Sequence, residues 1–239
     1  MIIRQQRAVG QVRIIVIPVL DIMNGVVVHA IAGEREKYKP YVDSTLCNTP
    51  NPDCFLDRFS RMGFQSVYIA DLDSIMGRGS NQWIIDHAIE MGFTVYADVG
   101  RAGIQLRDND RLKHVIGTEY LLYPSELSLV KNRIASLDME YENVKFTNSL
   151  INIREVAPIL TNLTPSELLI INLKFVGTMR GINKHVIELV RQYYDGKLYV
   201  GGGLGSLSEI FDLKNYGVEG ILVATLLHKG VVDRPYYII

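Results

Sequence analysis

Cysteine is nearly absent from this chain of 239 residues: Cys47 and Cys54, in the stretch CNTPNPDC, are the whole supply. Two thiols at this spacing, with no second pair, make neither a disulfide framework nor a zinc pattern. They are expected to be structural or incidental, as suits a reducing cytosol. Tryptophan is scarcer still, with Trp83 alone, set in a helical pattern and expected in core or interface packing. The five histidines (His29, His87, His114, His185 and His228) show no metal-ligand spacing, so no metal is expected. An excess of one charge is also lacking. The 25 Lys and Arg against 26 Asp and Glu leave a formal net charge of −1, which argues against a nucleic-acid or polybasic membrane surface. No apolar run reaches the roughly 18 residues of a membrane span. The run after the N-terminal basic residues is short, holds Pro18 and ends on Asp21 without a small-residue cleavage site, so a leader is not expected and a cytoplasmic chain is.

What is present is a regular alternation. Eight short runs rich in Val, Ile and Tyr read as strands buried on both faces: RIIVIPVL, SVYIAD, TVYADVG, HVIGTEY, RIASLD, ELLIINLK, KLYVGGG and GILVATL. Amphipathic stretches fill most of the gaps. Helices are expected from Asn51, Asn81, Asn183 and Ser206, each opening on a capping residue, with glycines Gly92, Gly196 and Gly217 closing the last three. Eight strands alternating with helices predict an α/β chain folded as a single (β/α)8 barrel over residues 1–239; a doubly wound open sheet is the runner-up.

An internal repeat sharpens this expectation. DLDSIMGRGSN from Asp71 resembles NLKFVGTMRGIN from Asn172, 101 positions later. VYADVG, ending at Gly100, resembles LYVGGG, whose Gly202 lies 102 positions on, and Thr118 pairs with Thr225 at 107. The offsets suggest two half-barrels, about 13–130 and 131–232, in which Asp138 is the counterpart of Asp21.

In such a barrel the C-terminal strand ends carry the active site. Asp21, Asp71, Asp73, Asp98, Thr118, Asp138, Asn172 and Thr225 all fall there. Asp21 and Asp138 would sit on opposite walls, where two carboxylates can divide acid and base work. Each also has the plain alternative of capping a loop. GGGLGSLSE leaves a strand for a helix and offers backbone amides to a phosphate at Gly202 and Gly203, with Ala224 and Thr225 beside them on the last strand. The repeat predicts a second such place at Gly100, Arg101, Gly117 and Thr118, hence a substrate phosphorylated at both ends. The charged stretch from Ala32 to Ser44 is expected as a solvated loop, with an active-site lid as the alternative.

IPVLDIMNGVVV, YIADLDSIMGRGSN, DVGRAG, VIGTEYL, IASLD, GTMRGIN, VGGGLGSL and ILVATLLHKG, in this order, resemble the histidine-biosynthesis barrels over roughly residues 13–231. The DLD and SLD elements lie closer to the isomerase than to the cyclase. The resemblance implies a half-barrel duplication, two phosphate sites and acid/base aspartates at Asp21 and Asp138. It also implies Asp71, Asn172, Gly177 and Thr178 at the substrate, and an aldose-to-ketose rearrangement of a phosphorylated small molecule without cofactor. Oligomeric state is not implied. Some positions depart from the family pattern. Ile171 stands at the catalytic threonine, Asn172 at an acidic position and Val176 before Gly177-Thr178 where Asp is usual. KFTNSL replaces a Lys-Gly-Trp element, VVVHA stands where the first hairpin has a basic residue, and DVGRAG carries one glycine where several are common.

Overall fold

The computed structural model describes residues 12–239, and the first eleven, including the basic stretch weighed above as a leader, lie outside them. Eight strands run parallel: β1 Arg13–Met23, β2 Ser66–Asp71, β3 Thr94–Asp98, β4 Leu112–Gly117, β5 Ile134–Glu140, β6 Glu167–Asn172, β7 Lys197–Gly201 and β8 Gly220–Val223. Each pairs with the next, and β8 pairs back onto β1, so the sheet closes into a (β/α)8 barrel. All eight strand expectations correspond to barrel strands.

Strand side chains alternate between two cores. Ile17, Tyr68, Ala70, Tyr96, Val115, Ile134, Leu169, Tyr199 and Leu222 pack inside the barrel. Their neighbours Val16, Val67, Ile69, Ala97, Leu168, Ile170, Val200 and Ile221 face out under the helices. This period of two also decides which strand-end residue faces the mouth. Ala70 shares the inner face of β2, so Asp71 points outward; Ile171 shares the inner face of β6, so Asn172 does too.

Four longer helices cover the outer face: α1 Pro52–Arg61, α2 Gln82–Glu90, α3 Lys184–Arg191 and α4 Leu207–Leu213. Asn51 and Asn183 cap α1 and α3, accepting from the Asp53 and Val186 amides. The other two expected caps serve elsewhere. Asn81 turns its side chain to Asp71 and Asp73 (2.7 and 2.8 Å), and Ser206 pairs with Ser208. Helix α3 stops at Arg191, short of Gly196, because the Tyr194–Gly196 segment folds back to accept from the Arg191 guanidinium. Trp83 is 51% exposed on α2, not in the core. Between β3 and β4, and between β4 and β5, only 3-10 turns occur (Gly100–Gln105, Thr118–Tyr120, Pro124–Val130). Those connections are short, polar or broken by Pro124.

The cysteine expectation is corrected. Cys47 and Cys54 form a disulfide, their Cα atoms 6.1 Å apart. The turn through Pro50, Asn51 and Pro52 into the first turn of α1 brings the two residues within bonding range. The cysteines therefore give no support to a reducing compartment. None of the described helices is long and apolar enough to cross a membrane.

Candidate functional site

The C-terminal strand ends surround a cavity of about 150 Å³. That is room for roughly ten waters at about 10–15 Å³ each. Asp21 of β1 and Asp138 of β5 both line it. Three strands separate β1 from β5 in either direction around the barrel, so the two are diametrically opposed and their carboxylates face each other across the mouth. Asp98 at the end of β3 and Glu119 after β4 line the same cavity, as do Tyr68 and Tyr120.

The environments of these acids differ. Asp21 accepts no hydrogen bond from the described residues; burial, then the charge of Asp98, push it up to about 7, against the pull of Arg35. Asp138 is 4% exposed. Its Oδ1 accepts from Ser136 Oγ (2.7 Å) and its Oδ2 from the Glu119 amide (3.1 Å). Burial, then the Glu119 charge, outweigh these bonds and raise it well above the carboxylate range. Asp98 accepts from the Gly100 amide (2.9 Å), Tyr120 Oη (3.1 Å) and Tyr68 Oη (3.2 Å). Burial still lifts it to about 6. Both phenols are held protonated by burial and by the Asp98 charge, and so remain donors.

Cations rim the acidic wall. Arg35 pairs with Glu119 at 2.8 Å, Lys145 with Glu119 at 3.3 Å, and Lys174 with Glu140 at 3.6 Å. Arg35 and Tyr38 belong to the charged stretch from Ala32 to Ser44, which thereby forms a wall of the cavity rather than a solvated loop. It packs against the loop after β6, where the Ala32 amide donates to the Val176 carbonyl at 2.9 Å.

The residues singled out in the sequence fall into two groups. Asp21, Asp138, Gly177, Gly202, Gly203, Ala224 and Thr225 line the cavity together. Gly202 (φ +80°) and Gly203 (φ +104°) hold left-handed backbone that favours glycine, and an added Cβ on Gly203 would meet Phe175 Cβ at 2.7 Å. The amides of Gly202, Gly203, Ala224 and Thr225 donate to no acceptor among the described residues.

Asp71, Asn172, Thr178, Gly100, Arg101, Gly117 and Thr118 are not brought to the cavity. Asp71 is fully buried and accepts from the Ser74 and Asn81 amides and side chains; these bonds hold its acid below the usual range although burial opposes them. Asn81 also donates to Asp73, and its carbonyl oxygen accepts from the Gly25 amide, tying the Asn24-Gly25 hairpin turn to the second unit. Asn172 lies in a separate cavity of about 10 Å³ against α3, with neither side-chain amide atom partnered among the described residues. Thr178 Oγ1 donates to the Phe175 carbonyl. Arg101 forks onto Glu126 at 3.0 Å and onto the Tyr120 carbonyl at 2.7 Å, away from the mouth. Thr118 is 1% exposed, its Oγ1 accepting from the Asp138 amide at 2.9 Å. Tyr68, Glu119, Tyr120 and Lys174 entered the site without a sequence signal of their own, whereas Arg35 lies in the stretch whose alternative was an active-site lid and Lys145 opens KFTNSL. The GTE end of the fourth strand was the nearest pointer.

A closed eight-stranded parallel barrel with acids facing each other at its C-terminal mouth defines an α/β-barrel protein whose site lies where barrel enzymes carry theirs. A family model described as "Histidine biosynthesis protein" matches residues 15–233, and the chain belongs to that family. An uncharacterized protein of Methanocaldococcus jannaschii is 31% identical over 224 residues, spanning 91% of this chain and 95% of the relative. Proteins of Deinococcus radiodurans (26% over 235 residues; 92% and 96% covered) and Caldicellulosiruptor saccharolyticus (24% over 237 residues; 91% and 96%) are named as isomerases of an imidazole-4-carboxamide bearing two phosphoribosyl groups.

Proposed function

We propose that this chain is an isomerase of a phosphorylated ribotide or sugar, converting an aldosylamine to an aminoketose by acid/base catalysis. The observation that carries the proposal is the pair Asp21 and Asp138, facing one cavity from opposed strands in environments that raise both acids. The names of the relatives support an isomerase.

Asp138, buried, held by Ser136 and the Glu119 amide and raised above the carboxylate range by its burial, is the acid. It protonates the ring oxygen as the C1–O bond breaks, and the nitrogen lone pair forms the protonated imine. Asp21, with an acid constant near neutrality, takes the proton from C2. The resulting enol becomes a ketone as O2 loses a proton and C1 gains one, so atoms and charge balance with no cofactor. Gly202, Gly203, Ala224 and Thr225 anchor a phosphate through backbone amides.

The test is turnover on a panel of ribotides and sugar phosphates for Asp21→Asn and Asp138→Asn, with folding checked by circular dichroism. Each substitution is expected to lower turnover by about 10²- to 10⁴-fold. If neither lowers it, the acid/base assignment fails. A second reading, a barrel that binds a phosphometabolite without turning it over, is favoured by Ile171 and Val176, apolar residues lining the cavity where the family pattern has Thr and Asp. Saturable binding with no turnover on any panel member would support it.

A further inference from the structure

We infer that the mouth accepts a sugar or glycosylamine with a single phosphate, held at the β7–β8 end, and that Asp98 excludes a second anion at the β3–β4 end. The inference rests on the proposed function and narrows its substrate class. At the β7–β8 end, four backbone amides with no acceptor among the described residues line the cavity. At the β3–β4 end the counterparts Gly100, Arg101, Gly117 and Thr118 do not line the cavity, and the groups around them are turned to protein partners. The Gly100 amide donates to Asp98, the Glu119 amide donates to Asp138, and the Thr118 hydroxyl oxygen accepts from the Asp138 amide. Arg101, the one cation the sequence places there, holds Glu126 and the Tyr120 carbonyl instead.

What faces the cavity at that end is Asp98, with Glu119 and Asp138 beside it. A phosphate arriving there would meet carboxyl oxygens and phenols where a phosphate site offers amides. The rim cations do not reverse this, because Arg35 and Lys145 are paired to Glu119 and Lys174 to Glu140. A hydroxyl or amino group is accommodated by the same acceptors, and like-charge contact works against an anion.

The test uses the full chain, with D-ribose 5-phosphate and D-ribulose 1,5-bisphosphate as probes, by calorimetric titration and phosphorus NMR. The monophosphate is expected to bind one to one. The bisphosphate is expected to bind no more than about threefold tighter, with one of its two resonances shifted. Asp98→Asn should move the ratio of the two affinities toward the bisphosphate by about tenfold, a ratio that a general loss of folding would not produce. A bisphosphate bound tenfold or more tighter by the wild-type chain, with both resonances shifted, would overturn the inference and leave the phosphorylated-sugar function standing (tenfold being about 1.4 kcal/mol). An unmoved ratio in Asp98→Asn would overturn the role of Asp98. If the wild-type chain binds neither probe, the proposed function falls and the inference with it.

Discussion

Two ends of one barrel mouth, written in similar sequence, use their glycines in opposite ways. At the β7–β8 end, Gly202 and Gly203 hold left-handed backbone and line the cavity with amides that no described acceptor takes. At the β3–β4 end, Gly100 also has a positive φ (+70°), but its amide is bound by Asp98 and its Cα abuts Ile75 (3.1 Å from an added Cβ). A glycine-rich turn presents donors to a ligand only when no neighbouring acceptor captures them first. Asp98, which takes the Gly100 amide, faces the cavity with Glu119 and makes this end acidic.

The largest effect that would sharpen this contrast is on phosphate binding. Thr225→Asp places a carboxylate among the open amides and is expected to weaken ribose 5-phosphate binding by more than about 100-fold, since like-charge contact costs several kcal/mol. Arg101→Glu, at the other end, is expected to change it by less than about twofold, because an exposed pair to Glu126 is worth little. Equal effects in a titration would break the comparison.

The next effect concerns stability at the paired positions Asp71 and Asn172. Asp71→Ala leaves the Asn81 and Ser74 donors without their acceptor and is expected to cost about 3 kcal/mol in urea unfolding. Asn172→Ala removes two atoms that have no partner among the described residues and is expected to cost less than about 1 kcal/mol. A larger loss at Asn172 would point to a bridging water in its small cavity.

A third effect follows from pH. Burial holds the Asp98 acid at about 6 in the folded chain, against an ordinary 3.8. Between these values the folded state keeps a proton that the unfolded state has lost. Its contribution is therefore fully present below about pH 4 and lost as pH rises through about 6, on the order of 3 kcal/mol at about 1.4 kcal/mol per unit. Asp98→Asn should flatten that part of the stability profile. The smallest effect is kinetic: with the Asp98 charge removed, the rising limb of the pH–rate profile, set by Asp21, should move to lower pH.

Much of this was legible in the chain. Eight apolar runs marked eight barrel strands, and an aspartate closing the first of them marked the mouth. The glycines of VGGGLGS marked a cavity wall. Strand parity was hidden, because barrel strands are apolar on both faces and nothing in ADLD or IINL says which residue faces inward. Asp71 and Asn172 were misplaced for that reason. Arg101 was misplaced because its partner, Glu126, lies on an irregular connection that no periodicity predicts. The Cys47–Cys54 disulfide depends on a Pro-rich turn whose geometry spacing alone does not state. Asp98 was visible as a strand-end acid, but its capture of the Gly100 amide is a three-residue geometry that only the fold reveals.

The most direct measurement is a crystal structure of the chain with D-ribose 5-phosphate. The phosphate is expected against the Gly202, Gly203, Ala224 and Thr225 amides, with the sugar between Asp21 and Asp138. A phosphate seated at Gly100 and Thr118, or a sugar bound away from the two aspartates, would contradict this placement.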